Sequence, residues 1–253
     1  MSDAYLSEVF SSIQGEGPHA GRRALFIRFG GCNLSCGYCD TAYARERAPC
    51  FKMFLAAGTS DEAAAGEPGE RDVPNPAGCG DVLRLIGGVP DLPDTVVLTG
   101  GEPLLQGEAL GELAGGLRMR GCSVHLETNG TLAAGLESVK PVVDFVSMDI
   151  KIPSMLGGLD LSEKHAAFLK AMEGMEGCAK IVVSESVDEQ EIDRAADLVA
   201  GINPALPVFL QPVFEGSRPG IGAARLGRFH SRLSARLQTV RISFQIHKIL
   251  GVR

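Results

Sequence analysis

The stretch "ALFIRFGGCNLSCGYCDT" (residues 24–41) carries two signals in sequence. Its first half is a run of apolar, β-branched and aromatic residues of strand length. Its second half places three cysteines, Cys32, Cys36 and Cys39, in one loop of a chain that has seven. In parallel α/β folds the ligand sites gather where strands finish, so a strand that ends in such a loop points to that class.

Runs of the same kind recur at "TVVLTG" (95–100), "CSVHLET" (122–128), "VDFVSMD" (143–149), "AKIVVS" (179–184), "PVFLQP" (207–212) and "VRISFQI" (240–246). Between them lie helix-like stretches such as 107–120, 162–174, 188–201 and 222–237. This alternation implies parallel strands joined by helical crossovers. Six or seven units fall short of a closed eight-fold barrel. The expected fold is therefore α/β, an incomplete TIM-type barrel of about six parallel βα units, as a single domain over residues 1–253. Residues 44–80, rich in Ala, Gly, Pro and charge, break the rhythm. They read as an insertion, partly helical around 50–57 with a loop after it, and not as a domain.

The polar residues cluster where the runs end. Cys32 follows the first, "GGEP" (100–103) closes the second and "ETNG" (127–130) the third. Lys151 follows the fourth, Ser184 ends the fifth, Gln211 ends the sixth, and His247 and Lys248 follow the last. This one-sidedness places a site at the top of a curved sheet.

Bulk properties narrow the function. The net charge of −7 argues against a nucleic-acid footprint, and no apolar run is long enough to span a membrane. The N-terminus, "MSDAYLSEVF", lacks the basic and apolar regions of a secretory signal, so the expected compartment is the cytoplasm. Thiols stay reduced there, and clustered cysteines are metal ligands before they are disulfides.

Several readings of the cysteine loop are open. A structural zinc wants four closed ligands, the fourth here from Cys50, Cys79 or a histidine. A redox dithiol at Cys36 and Cys39 leaves Cys32 without a role. A 4Fe–4S cluster held by three thiolates leaves one iron for a substrate or cofactor, which suggests chemistry at the cluster.

The pattern Cys-x3-Cys-x2-Cys, with Tyr38 before its last cysteine and "TGGEP" (99–103) at the end of the next run, resembles the radical S-adenosylmethionine (SAM) enzyme signature. Further stretches resemble one family in it, 7-carboxy-7-deazaguanine synthase. They are "SSIQGEGPHAGRRALFIRFGGCNLSCGYCDT" (11–41), "LTGGEPLLQ" (98–106), "HLETNGT" (125–131) and "SFQIHKILGVR" (243–253). The resemblance runs from residue 5 to the end, with 44–80 outside it.

It implies a radical SAM lyase with a 4Fe–4S cluster, SAM and Mg2+, acting on 6-carboxy-5,6,7,8-tetrahydropterin. The ring contracts to 7-carboxy-7-deazaguanine with loss of ammonia, on the route to queuosine and other 7-deazapurines. The resemblance further implies a homodimer. Carried over residue by residue, Cys32, Cys36 and Cys39 hold the cluster. Tyr38, Asp40, Gly101, Glu102, Glu127, Asp149, Lys151, Ser184 and Gln211 face SAM. Ile13, Gln14, Gly15, Glu16, Arg28, Thr99, His247 and Arg253 face the substrate, and Thr41 binds magnesium. Around Lys151 the chain reads "SMDIKIP", where the family commonly has Ser-Pro-Lys.

The chemistry suits such a substrate. A pterin edge presents donors that a carboxylate such as Glu16 can accept, with Gln14 beside it, and the substrate carboxylate wants a cation such as Arg28. A hydroxyl such as that of Thr41 suits a hard ion that keeps much of its hydration. The glycines of "GGEP" let the backbone approach a ligand closely. The segment 44–80 is placed to shape a lid or to dock an electron donor such as flavodoxin, and its Cys50 and Cys79 to bind an extra metal. Cys122 and Cys178, flanking expected strands, read as small apolar core residues. Two rivals stand beside this reading: a glycyl-radical-enzyme activase, and a non-catalytic Cys-rich metal-binding module.

Overall fold

A computed structural model describes residues 1–54, 70–89, 91–216 and 218–252. The strands, in chain order, are β1 (Asp3–Ala4), β2 (Leu6–Ile13), β3 (Arg23–Phe29), β4 (Cys50–Phe54), β5 (Glu70–Pro74), β6 (Ala77–Gly78) and β7 (Thr95–Gly100). Then follow β8 (Ser123–Thr128), β9 (Phe145–Ile150), β10 (Glu176–Val183), β11 (Val208–Pro212), β12 (Phe214–Glu215), β13 (Arg218–Pro219) and β14 (Val240–Ile242). The helices are α1 (Cys79–Gly87), α2 (Gly107–Arg118), α3 (Ala133–Val139), α4 (Ser162–Ala171), α5 (Glu189–Ala200), α6 (Ala223–Ser234) and α7 (Ile246–Leu250).

Ten strands form one open sheet in the order β14-β11-β10-β9-β8-β7-β3-β2-β4-β5. From β3 to β14 every neighbour is parallel, while β2 runs antiparallel to β3. All seven apolar runs are strands, so the α/β reading holds, and among the described residues the sheet is open, with β14 and β5 at its edges.

Period-two alternation assigns the two faces. Leu25, Ile27 and Phe29 of β3, Val96 and Leu98 of β7, and Val124 and Leu126 of β8 lie in one core with Leu110, Leu113 and Leu117 of α2. Their alternates face the other way. Phe26 stacks on Phe10 with centroids 5.1 Å apart, and Arg28, Thr99, Glu127, Asp149, Lys180 and Gln211 line a cavity. The helices thus cover the outer face, and the inner face is left for chemistry.

Two expectations are corrected. The helix expected around 50–57 is a strand over Cys50–Phe54, and residues 55–57 lie outside the described residues. In "CFKMF" Phe51 and Met53 are buried while Lys52 is exposed, a two-residue period. The strand gains two neighbours, pairing parallel with β2 and antiparallel with β5, which one helical turn would forfeit. The last run is a strand only to Ile242, and Ile246 already belongs to α7.

Candidate active site

The inner face, the cysteine loop and the C-terminal segment enclose a cavity of about 560 Å³. The β2–β3 connection forms part of its wall. Gln14, Gly15 and Glu16 line it, and the backbone N–H of Ile246 donates to Gly15 O at 3.0 Å. A Cβ on Gly15 would stand 1.9 Å from His247 Nδ1, so the glycine is what lets His247 seat there.

The cysteine loop is strapped to its surroundings at both ends. Gly31 N donates to Ala44 O at 2.9 Å and Cys32 N to Arg45 O at 3.1 Å. Arg45 reaches back to the carbonyl of Cys36. Asn33 donates to Thr131 Oγ1 at 2.9 Å and accepts from Asn129 Nδ2 at 2.8 Å, which ties the loop to the end of β8. The two glycines of "GGEP" serve the same packing. A Cβ on Gly101 would lie 2.2 Å from Gly31 O, and one on Gly100 2.3 Å from Phe29 O. Gly101 thus admits the backbone that flanks the cysteine loop and Gly100 that of β3, while both also line the cavity.

Cys32, Cys36 and Cys39 all line the cavity as free thiols. Burial pushes the Cys32 thiol above its usual range. Among the described residues no three His, Cys, Asp or Glu side chains converge to hold a single metal ion. Three soft sulfur donors spread along one loop suit a larger inorganic cluster instead. Cys50 is exposed on β4 and Cys79 is buried, its thiol directed at Ala109 O, so the two make no metal site among the described residues. Cys122 and Cys178 are both buried.

Charge organises the cavity. Lys151 lies 2.6 Å from Asp149 Oδ2, and its ammonium stands 5.4 Å from the Tyr38 ring centroid. Burial pushes the Tyr38 hydroxyl up to about 12. Lys180 lies 3.2 Å from Asp149 Oδ1 and pairs with Glu16. Burial alone would raise the Glu16 carboxyl, but the Lys180 ammonium holds it below its ordinary value. Asp40 opposes burial in the same way, held down to about 2 by Lys248 at 2.8 Å. Glu127 accepts from Gln14 Nε2 at 2.9 Å and from Thr99 Oγ1 at 2.8 Å. Arg28 gives Nε to Glu8 at 2.7 Å and lies 5.7 Å from the Phe10 ring centroid. Thr41 Oγ1 is 3.8 Å from Cys39 Sγ.

Ile13, Gln14, Gly15, Glu16, Arg28, Tyr38, Asp40, Thr41, Thr99, Gly101, Glu127, Asp149, Lys151, Gln211 and His247 are all brought to this cavity with the three cysteines. Two expected residues are not among those lining it. Glu102 is fully buried and braces the loop after β8, accepting from Leu104 N at 3.1 Å, Thr128 Oγ1 at 2.8 Å and Asn129 N at 2.8 Å. Burial lifts its carboxyl to about 7 against those three donors. Ser184 Oγ sits 3.1 Å from Met155 Sδ. Arg253 lies outside the described residues. Sequence reasoning missed Lys180, Gln245 and Asn129. A lone charge inside the apolar run "AKIVVS" was the signal for Lys180, whereas Gln245 needed the chain to turn out of β14.

Residues 26–189 match the radical SAM superfamily model. The chain is 40% identical to the 7-carboxy-7-deazaguanine synthase of Geobacter sulfurreducens, over 98% of this chain and 97% of that one. It is 38% identical to the enzyme of the same name from Methanopyrus kandleri, over 81% of this chain and 79% of that one. The fold is shared with QueE from Escherichia coli at a TM-score of 0.59 and 22% identity, covering 96% of this chain and 94% of that one. A cysteine loop, a charged inner wall and near full-length relatives agree, and the chain belongs to the 7-carboxy-7-deazaguanine synthase family of radical SAM enzymes.

Proposed function

We propose that this chain converts 6-carboxy-5,6,7,8-tetrahydropterin to 7-carboxy-7-deazaguanine with loss of ammonia. One observation carries the reading: a single cavity sets three free thiols against an acceptor-rich and cation-bearing wall made by Gln14, Glu16, Arg28 and Lys180. Cys32, Cys36 and Cys39 would hold the 4Fe–4S cluster. When bound, the cluster and SAM supply a carbon-centred radical able to take hydrogen from a C–H bond.

The chain's own residues position and enclose. Arg28, oriented through Nε by Glu8, keeps its other N–H groups for the substrate carboxylate. Glu16 accepts from the pyrimidine edge of the pterin. Lys151, pinned between Asp149 and the face of Tyr38, presents a fixed cation on the cofactor side. Phe10, Phe26 and Phe214 supply apolar wall that excludes water. Thr41 would give Mg2+ one oxygen, with substrate and water giving the rest.

The reading also takes in a homodimer, with Phe244, Ile249 and Leu250 exposed near the C-terminus as its support. An electron donor such as flavodoxin and a cytoplasmic location belong to it too. No helix among the described residues is long and apolar enough to cross a membrane.

The test is anaerobic reconstitution with iron and sulfide, then reduction and incubation with SAM and the carboxytetrahydropterin. The expected result is a deazapurine identified by absorbance and mass. SAM cleavage with the pterin recovered unchanged would sink the substrate assignment.

A further inference from the structure

Among the described residues, the Arg and Lys side chains lining the cavity are Arg28, Arg45, Lys151, Lys180 and Lys248. All but one have a carboxylate partner. Arg28 is paired with Glu8, Lys151 with Asp149, Lys180 with Glu16 and Asp149, and Lys248 with Asp40. Arg45 has none among those residues. Its side chain reaches across the cysteine loop instead, and Nη2 donates to the backbone carbonyl of Cys36. Its Nε–H is buried with no hydrogen-bond partner among the described residues.

The backbone holds the residue there. Ala42–Arg45 is one turn of 3-10 helix, closed by Ala44 N on Thr41 O at 2.9 Å. Cys32 N donates to Arg45 O at 3.1 Å, so the first cysteine fixes the carbonyl of Arg45 and the second fixes its tip. A guanidinium presents a planar fork of N–H donors, and one neutral carbonyl does not balance its charge. A half-buried cation with an idle donor is costly unless an anion meets it. The carboxylates of the cavity are engaged elsewhere: Glu16, Asp40 and Asp149 face lysines, and Glu127 is bonded to Gln14 and Thr99. What Arg45 lies against is the loop of Cys32, Cys36 and Cys39. Thiolates and sulfides together outweigh the iron charge of a 4Fe–4S cluster held there. The assembled centre is therefore anionic, and it becomes more so on taking up an electron.

We infer that Arg45 is the counter-ion of the cluster, its guanidinium facing the cluster's sulfur and stabilising the reduced form over the oxidised one. The inference rests on the proposed role of the three cysteines. Net charge and hydrogen bonds to sulfur set the potential of such a cluster. A fixed cation favours the more negative state, so Arg45 raises the midpoint for reduction by a low-potential one-electron donor.

The experiment uses the full chain, reconstituted with iron and sulfide without oxygen and kept free of SAM. The midpoint is read by redox titration, with the reduced cluster counted by electron paramagnetic resonance. Arg45→Gln is expected to cut the ratio of reduced to oxidised cluster at a fixed potential about tenfold, a fall of about 59 mV for one electron. Arg45→Lys, which keeps the charge, is expected to recover most of that difference. Equal midpoints in wild type and Arg45→Gln overturn the inference. Equal midpoints with weaker SAM binding overturn it too, and assign the guanidinium to the carboxylate of SAM. So does an Arg45→Lys midpoint as low as that of Arg45→Gln. If Arg45→Gln retains no iron, Arg45→Lys decides. Iron retained there with a near-wild-type midpoint supports the counter-ion, and any other result means that Arg45 only straps the loop. A wild type that assembles no cluster removes the proposed function, and the inference with it.

Discussion

A methyl group at Gly101 would meet two backbone carbonyls, that of Gly31 with O at 2.2 Å and C at 2.6 Å and that of Ala44 with O at 2.7 Å. Backbone cannot rotate away as a side chain does, so the cysteine loop itself must move. Gly101→Ala is expected to cost about 2 kcal/mol or more of stability by urea titration, in the range of overpacked interiors. It is also expected to lower the iron retained after reconstitution. Retention of the full wild-type iron would show that the loop tolerates the shift. At Gly15 the obstacle is the ring of His247, a side chain that can swing. The same substitution there is expected to spare the cluster and displace only His247. Motif spacing alone does not separate these two glycines, because each depends on what packs against it from a distant part of the chain.

Helix α5 shows how one side chain can serve two elements. Asp188 and Glu191 form a capping box at its start, and Asp188 N donates to Glu191 Oε2 at 3.0 Å. Glu191 also accepts from Ser154 N at 2.8 Å, which pins the loop after β9 to the helix. The residue is 7% exposed, so the partners of a lost carboxylate would be left without water. Glu191→Ala is expected to cost about 2 kcal/mol, beyond the roughly 1 kcal/mol of an exposed cap. Asp188→Ala should show only the smaller loss. Equal losses by denaturant titration would mean that the Ser154 contact adds nothing. The sequence "VDEQE" announces the capping box, but not the loop from the preceding unit that shares its carboxylate.

Across the whole molecule, buried histidines set the response to acid. Burial lowers His125 and His165 to about 4 from an ordinary 6.5. A base lowered in this way is neutral when folded. Its contribution to stability is therefore complete above pH 6.5 and drains away as pH falls from 6.5 through 4. Glu102, raised by burial to about 7, works the other way and adds stability as pH falls below that value. The two histidines together outweigh it, so the unfolding free energy is expected to drop across that window. His165→Leu is expected to reduce the slope by up to about 1.4 kcal/mol per pH unit. An unchanged slope would place the acid sensitivity elsewhere. His125 packs with His19 and Phe145, with ring centroids 4.5 Å apart for His19–His125 and 5.3 Å for His125–Phe145. The same window should therefore loosen the β2–β3 connection that carries Gln14 and Glu16.

The sequence by itself determined the class of fold and the chemistry of the loop. Seven apolar runs are seven parallel strands, and Cys32, Cys36 and Cys39 stand together because eight residues of chain hold them there. Local signals of that kind depend on near neighbours, and near neighbours are what a sequence displays. Only the tertiary structure decided that residues 50–54 join the sheet, since pairing with β2 and β5 outweighed a weak helical preference. It alone moved Glu102 and Ser184 off the cavity wall and brought Gln245 and Lys180 onto Glu16 across 229 and 164 positions. Which side chains share a wall follows from sheet register and chain reversal, and these are fixed by the packing of the whole core.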